Sequence, residues 1–150
     1  MSLSEKNTPY ILDCTFRDGG YYNEWDFNED LVEKYLRLLA LSRVDIIEIG
    51  YRFFKSKDYC GPFGFCSEEF LDALNIDPKI SVAVMVNASE VLTSNEDLDR
   101  FKGSFISAKK SRVDIVRLAT YMADASDTEH LVDYLKSQVY KVCINLMKIS

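Results

Sequence analysis

Apolar positions along the chain follow two alternating patterns, short continuous runs and stripes that recur every three or four residues. The continuous runs are rich in β-branched residues and are typical of buried strands. They predict five strands, at residues 11–16, 44–49, 79–86, 113–120 and 139–149. The stripes predict helices at residues 27–41, 67–74, 95–110 and 126–138. Ser67 is the expected N-cap of the second helix, and Ser126 with Glu129 predicts a capping box for the last.

The predicted order is a strand followed by a helix, repeated four times and closed by a fifth strand. Strands that are apolar on both faces are typical of a parallel sheet covered by helices. Two architectures fit, a doubly wound open sheet and a partial TIM (β/α)8 barrel. A complete barrel takes about 250 residues, and this chain has 150. We expect an α/β fold of about five parallel βα units, which as a barrel would stop before strands six to eight.

Composition narrows the class of protein. The net charge is -6, so the chain lacks the basic face that nucleic-acid binding requires. It also lacks the run of about 18 apolar residues that marks a membrane span, and its polar N-terminus has no signal-peptide core. We expect a cytoplasmic protein with no nucleic-acid or membrane partner. Residues 1–9 are expected to be a disordered or vector-derived tail, and residues 10–150 the barrel portion.

The four cysteines do not form a recognisable zinc or disulfide pattern. Cys14 and Cys143 lie in strand-like runs and are expected to be buried thiols. Cys60 and Cys66 flank the segment GPFGF, a spacing unlike the close ligand pairs of zinc sites. The only histidine, His130, lies in a predicted helix. A disulfide between Cys60 and Cys66 is left open.

Polar residues follow the apolar runs where the predicted strands end. In both architectures functional residues collect at the carboxyl ends of the strands. The residues at these ends are Arg17, Asp18, Glu48, Gly50, Tyr51, Arg52, Asn87, Arg117, Thr120, Asn145 and Lys148. They predict a rim of mixed charge above an apolar sheet.

Glu48 needs a partner because it lies between isoleucines in the segment DIIEIG. An unpaired carboxylate there would cost several kcal/mol or would take up a proton. Arg17, at the end of the neighbouring predicted strand, is the expected partner. A buried pair of this kind serves structure as often as it serves chemistry, and both interpretations stay open.

Asp18 adds a second carboxylate beside Arg17. We expect Gly19 and Gly20 to form a turn that points both side chains into one pocket, where Asp18 could bind a hard divalent cation. One carboxylate alone is a weak indication of a metal site. Asp13 shares a strand face with Arg17 and is expected to anchor it, or else to cap a helix or make a core hydrogen bond.

The segments LDCTFRDGG and VDIIEIGYR resemble the opening of the DRE-TIM metallolyase superfamily. That superfamily includes the class II 4-hydroxy-2-oxovalerate aldolases, the hydroxymethylglutaryl-CoA lyases and the isopropylmalate synthases. The resemblance implies a (β/α)8 barrel and a divalent metal, Mn2+ or Mg2+, with Asp18 as a ligand. It implies that Arg17 stabilises the enolate of a 2-oxo acid and that Glu48 orients Arg17. Gly19, Asn87 and Arg52 are expected to contact the substrate.

The chain departs from this family in three ways. Tyr21 stands where the aldolases carry a histidine base, so we assign Tyr21 to the catalytic set in its place. The pair of histidines that would complete the metal site is absent, as are strands six to eight. We therefore expect these residues to be the front part of a longer protein. Alone, the chain should be inactive and should self-associate through the open sheet edge.

The sequence thus predicts a metal-dependent aldolase or lyase that cleaves a 4-hydroxy-2-oxo acid by retro-aldol chemistry. A Claisen-type acyltransferase of the same superfamily is the alternative among enzymes. A non-catalytic α/β module for binding or assembly is the alternative of another class. The aromatic residues after Gly20 are expected to wall the substrate or to pack beneath a helix, and the loop 51–66 to act as a lid or an interface.

Overall fold

A five-stranded parallel sheet organises the chain in the computed structural model, which describes residues 9–54 and 59–148. The strands are β1 (Leu12–Asp13), β2 (Ile46–Tyr51), β3 (Ser81–Asn87), β4 (Ile115–Tyr121) and β5 (Lys141–Met147). They lie side by side in sequence order. A doubly wound sheet reverses its order at a switch point, and this one does not. The sheet is a curled half-barrel, which confirms the predicted partial (β/α) barrel.

Helices connect the strands along one face of the sheet. They are α1 (Thr15–Asn23), α2 (Glu29–Leu41), α3 (Pro62–Phe65), α4 (Glu68–Ala73), α5 (Ala88–Val91), α6 (Asn95–Ser104) and α7 (Glu129–Ser137). Ser67 caps α4 as predicted, because its side chain accepts a hydrogen bond from the Phe70 amide. The predicted capping box at Ser126 is wrong. A 3-10 helix, Met122–Thr128, runs directly into α7 and leaves no extended residue to serve as a cap.

The first predicted strand is shorter than its apolar run. β1 ends at Asp13, whose carboxylate accepts hydrogen bonds from the Thr15 amide and hydroxyl. This side-chain turn starts α1 two residues later. Arg17 and Asp18 therefore lie in the first turn of a helix and not at a strand end. The predicted glycine turn is also wrong, because Gly19 and Gly20 are helical and no glycine has a positive φ.

The two faces of the sheet bury different sets of residues. The face covered by helices holds the main core, in which Ile47, Val84 and Leu118 are fully buried beneath the helices. The inner face holds two small apolar layers. One layer is formed by Ile46, Ala83 and Ile115, and the other by Tyr51, Met85 and Ala119. Charged side chains lie between these layers on the inner face.

A bulge in β2 changes which residues face inward. The register between β2 and β3 shifts between Glu48 and Gly50. Strict alternation would place Tyr51, three residues after Glu48, on the opposite face. The extra residue of the bulge turns both side chains toward the inner face instead. Gly50 is required here, since a Cβ would lie 2.0 Å from the Phe63 carbonyl oxygen of α3.

The far edge of the sheet is only partly covered. Within the described ranges no strand pairs with the outer edge of β5. Cys143 is exposed there, so its predicted burial is wrong, and Ile144 is 42% exposed. The predicted tail, apart from Pro9, and the predicted end of the fifth strand lie outside the described residues. None of the helices in residues 9–54 and 59–148 combines the length and hydrophobicity that a membrane crossing requires.

Candidate active site

Glu48 is the centre of a hydrogen-bonded cluster on the inner face. It lies on β2, and its side chain is 0% exposed. Its Oε2 accepts a hydrogen bond from Arg17 Nε at 2.8 Å, which confirms the pairing predicted from the sequence. Nη1 of Arg117, on β4, lies 2.9 Å from Oε1 and 2.8 Å from Oε2. The carboxylate is thus shared by two guanidinium groups.

Arg117 is a partner that the sequence analysis placed at the rim but did not assign to Glu48. Its Nη2 donates to Asn145 Oδ1 on β5 at 3.2 Å. The cluster therefore ties three strands and α1 together. A signal was present in the sequence, since Arg117 lies within the apolar run IVRLAT and a buried cation needs a partner. The pairing of Arg117 with Glu48 could not be predicted from the sequence, because 69 residues separate the two.

Arg17 is held as a permanent cation. Burial is the largest single influence on its guanidinium and lowers the pKa, but the charge of Glu48, the hydrogen bond to Glu48 and the charge of Asp18 together outweigh burial and raise the pKa. Nη1 of Arg17 also forms an ion pair with Asp18 Oδ1 at 2.5 Å. The indole Nε1 of Trp25 donates to the Arg17 carbonyl oxygen at 3.0 Å. Both the backbone and the side chain of Arg17 are fixed by these contacts.

The charges in this cluster balance. Arg17 and Arg117 supply two positive charges, and Glu48 and Asp18 supply two negative ones. The side chain of Asp18 is 53% exposed, whereas that of Glu48 is enclosed. The buried part of the cluster therefore contains two guanidinium groups and one carboxylate, and the exposed Asp18 carboxylate lies at its outer side.

Asp18 alone does not make a metal site. Its Oδ2 accepts a hydrogen bond from the Cys14 thiol at 3.1 Å, and its Oδ1 is paired with Arg17. Across residues 9–54 and 59–148 no group of three or more His, Cys, Asp or Glu side chains is placed to hold a metal ion. A hard divalent ion takes six or more oxygen ligands. The described residues therefore do not fit a metal by themselves.

Tyr21 reaches the inner face through a second tyrosine. Its hydroxyl lies 2.7 Å from the hydroxyl of Tyr51, at the end of β2. Tyr51 is 6% exposed, and Tyr21 is 63% exposed. Burial, together with the hydrogen bond to Tyr21, raises the pKa of Tyr51. The sequence placed Tyr51 at the rim but gave it no role, because the bulge that turns it inward has no clear sequence signature.

An aromatic cap covers this end of the inner face. The ring of Phe53 stacks on Tyr51 with centroids 4.5 Å apart, and the ring of Trp25 meets Tyr51 edge-on at 5.6 Å. Trp25 adopts a left-handed backbone conformation with φ of 56°. Gly20 allows this packing, since a Cβ there would lie 2.0 Å from the indole. Of the aromatic residues after Gly20, Tyr21 and Trp25 therefore pack at the cluster, whereas Tyr22 is exposed and Phe27 packs in the helix-covered core.

Two residues expected to contact substrate lie apart from the cluster. The guanidinium of Arg52 points to the helix-covered face, where it donates to the carbonyls of Ser104 and Cys66 and to Glu68. It also lies 4.6 Å from the ring centroid of Phe105. Arg52 is thus engaged in packing between helices and is not brought together with Arg17.

Asn87 lines a separate cavity at the carboxyl ends of β3, β4 and β5. The cavity has a volume of about 190 Å³. Its lining residues are Asn87, Ser89, Leu92, Thr120, Tyr121, Asp124, Asp127 and Met147. Asn87 Oδ1 accepts a hydrogen bond from Ser89 Oγ there.

Gly19 lies within α1, and Asp13 lies just before it in the helix-capping role that was one of the interpretations of the sequence. A Cβ on Gly19 would meet the Phe27 ring at 3.4 Å, an ordinary contact distance. Asp13 accepts hydrogen bonds from Thr15 and from the Tyr35 hydroxyl at 2.9 Å. Asp13 therefore anchors the start of α1, and through it the position of Arg17.

Comparison with known proteins supports this partial barrel. No protein-family model matches the chain, and no curated protein matches it. Among solved structures, the chain is similar to the N-terminal domain of a putative aldolase from Bacteroides vulgatus, at 34% identity and a TM-score of 0.78. The match covers 94% of this chain and 45% of that chain. The chain thus has an aldolase-like fold and spans less than half the length of that neighbour.

Proposed function

We propose that the chain is the N-terminal part of a carbon–carbon lyase that cleaves a 4-hydroxy-2-oxo acid. The observation that carries the proposal is Arg17, a guanidinium fixed by a fully buried carboxylate on the inner face of a half-barrel. The aldolase name of the similar domain agrees with it. The resemblance to the DRE-TIM metallolyases supplies the substrate class.

The proposed reaction is a retro-aldol cleavage. The 4-hydroxyl passes its proton to water, the bond between C3 and C4 breaks, and the electron pair moves onto the C2 oxygen to give an enolate and the carbonyl product. A fixed cation beside that oxygen stabilises the charge as it develops, an effect worth about 3–4 kcal/mol for one well-placed donor. Arg17 is the group assigned to this role.

Glu48 and Arg117 act on Arg17 without touching the substrate. Glu48 holds Arg17 Nε, and Arg117 holds Glu48 in turn. A guanidinium that is already oriented needs no rearrangement when the enolate forms. Asn145 extends the same chain of contacts to β5.

The metal remains a separate proposal. The family resemblance implies Mn2+ or Mg2+, with Asp18 as one ligand. The other ligands would have to come from outside the described residues. Binding of Mn2+ to the complete protein, followed by electron paramagnetic resonance, tests this. Asp18→Asn should weaken binding at least 10-fold, and equal affinity in both proteins would remove Asp18 from the site.

A non-catalytic module for binding or assembly is the second candidate. The observation that favours it is the lack of a metal cluster among the described residues, together with Tyr21 in the place of a histidine base. In this case the Arg17–Glu48–Arg117 cluster would serve to fix strands. The intact mass of the protein from its own cells bears on the choice, because a chain that ends at Ser150 would support this candidate.

Glu48→Gln in the complete protein is the direct test. Glutamine keeps the shape and loses the charge that orients Arg17. We expect release of the 2-oxo acid to fall by about 100-fold with the fold retained. Glu68→Gln is the matched control, since Glu68 also pairs with a buried arginine, Arg52, away from the inner face. Equal activity in both variants, or loss of folding alone in Glu48→Gln, would contradict the catalytic proposal.

A further inference from the structure

The Tyr21–Tyr51 hydroxyl pair connects the outside of the molecule to the inner face. The two oxygen atoms are 2.7 Å apart, a strong hydrogen-bond distance. Tyr21, on α1, is 63% exposed, whereas Tyr51, on β2, is 6% exposed. One phenol is therefore open to water and the other is enclosed. Either hydroxyl can donate to the other, so a proton can pass in both directions.

The enclosed phenol lies beside Arg17. Arg17 and Tyr51 are close enough for their charges to interact, and the positive charge of Arg17 by itself lowers the pKa of Tyr51. Trp25 contacts both residues, because its indole donates a hydrogen bond to the Arg17 carbonyl oxygen and its ring packs edge-on against Tyr51. Phe53 stacks on the other side of the Tyr51 ring. Tyr51 is thus held rigidly next to the cation assigned to the enolate.

The environment of Tyr51 favours an acid over a base. Burial and the hydrogen bond to Tyr21 raise the pKa of Tyr51 above its usual value near 10. Tyr51 therefore keeps its proton at neutral pH and cannot serve as a standing base. A weak acid still protonates a strongly basic centre, and the carbon of an enolate is one.

We propose that Tyr51 is the acid that protonates the enolate carbon and that Tyr21 returns a proton to it from solvent. The Tyr51 O–H bond breaks and a C–H bond forms at C3, which yields the neutral 2-oxo acid. Tyr21 then transfers its proton to the Tyr51 phenolate and takes one from water. The inference rests on the proposed lyase function and adds the residue that completes the second half of that reaction.

Exchange of the methyl hydrogens of pyruvate with D2O tests the relay. This experiment does not require the second product of the cleavage to be known. An enzyme that protonates the enolate carbon also removes that proton in reverse, so the pyruvate methyl group takes up deuterium, which proton NMR follows. The complete protein, with Mn2+ present, should catalyse this exchange. Tyr51→Phe should slow it by about 100-fold and Tyr21→Phe by about 10-fold. Tyr22→Phe is the matched control, since Tyr22 adjoins Tyr21 and is 94% exposed.

The outcomes separate the relay from the lyase function. Exchange by the unmodified protein that Tyr51→Phe leaves unchanged would overturn the relay and leave the lyase proposal standing. No exchange by the unmodified protein would overturn both. Thermal unfolding of each variant, followed by circular dichroism, excludes loss of fold as the cause. A slow but folded Tyr51→Phe beside a normal Tyr22→Phe supports the relay.

Discussion

Arg17 Nε lies 2.8 Å from Glu48 Oε2, across 31 residues of chain. The contact joins the first turn of α1 to the middle of β2. It forms because β1 ends early at Asp13, so that α1 begins directly above the neighbouring strand. A buried carboxylate thereby gains a cation from a distant segment of the chain, although Arg52 lies only four residues away in sequence and points to the other face.

Removing Arg117 should destabilise the protein. Arg117→Met leaves the Glu48 carboxylate buried with Arg17 as its remaining charged partner. We expect a loss of about 2–3 kcal/mol, which is below the usual cost for a buried pair because Arg117 is one-fifth exposed. Urea unfolding measures it. The double variant Arg117→Met, Glu48→Gln should recover part of the loss, and a purely additive loss would contradict the coupling.

Two glycines in helices should respond to alanine in opposite ways. Gly20→Ala places a Cβ 2.0 Å from the Trp25 ring, so we expect a loss of about 2–3 kcal/mol and a red shift in tryptophan emission. Trp25 is the only tryptophan, which makes the emission specific. A Cβ at position 103 would have no neighbouring heavy atom within 4 Å, so Gly103→Ala should stabilise α6 by about 0.5–1 kcal/mol. The prediction is wrong if Gly20→Ala unfolds at the unmodified urea midpoint.

Val139 occupies a position that favours glycine. α7 ends in a motif in which the Val139 amide bonds to the Lys136 carbonyl and the Tyr140 amide to the Leu135 carbonyl. Val139 has φ of 71° there, a strained conformation for a β-branched residue. Val139→Gly should therefore stabilise the protein by about 1 kcal/mol. Val142→Gly, within β5, is the contrasting control and should destabilise it. A lower melting temperature for Val139→Gly would refute the strain argument.

Stability should fall as the pH rises above about 10, the usual pKa of tyrosine. The folded state raises the pKa of Tyr51, so between that usual pKa and the raised one the folded chain holds a proton that the unfolded chain has lost. The free energy of unfolding therefore decreases with pH in that range. Urea unfolding at pH 9 and 11 should show a smaller decrease in Tyr51→Phe. Tyr22→Phe should behave like the unmodified protein, and identical pH slopes in all three would contradict the prediction.

The chain by itself should self-associate at micromolar concentration. The outer edge of β5 has no partner strand in the described residues, and Ile144 is 42% exposed beside it. Open edges of this kind pair with other chains. Sedimentation should show dimers or larger species, and Ile144→Lys should shift them toward monomer. Clean monomer in the unmodified chain would count against the prediction.

Much of the fold was predicted correctly from the sequence, and the errors in that prediction have local causes. The five strands and the parallel sheet were predicted because apolar runs and stripes report burial directly. β1 was overextended because Cys14 and Phe16 look strand-like, while the Asp13 side chain turns the chain into a helix. The Arg17–Glu48 pair was predicted because a buried charge requires a partner, whichever fold supplies it.

By itself, the sequence determined the alternation of strands and helices and the need to pair Glu48. Only the tertiary structure decided that Arg117 is the second partner and that Tyr51 faces Arg17. The pairing of Arg117 with Glu48 depends on how β2 and β4 are aligned across the intervening strand β3. The position of Tyr51 depends on a bulge at Gly50, where α3 packs too closely for a side chain. Both are contacts between distant segments, and such contacts have no periodic trace in the chain.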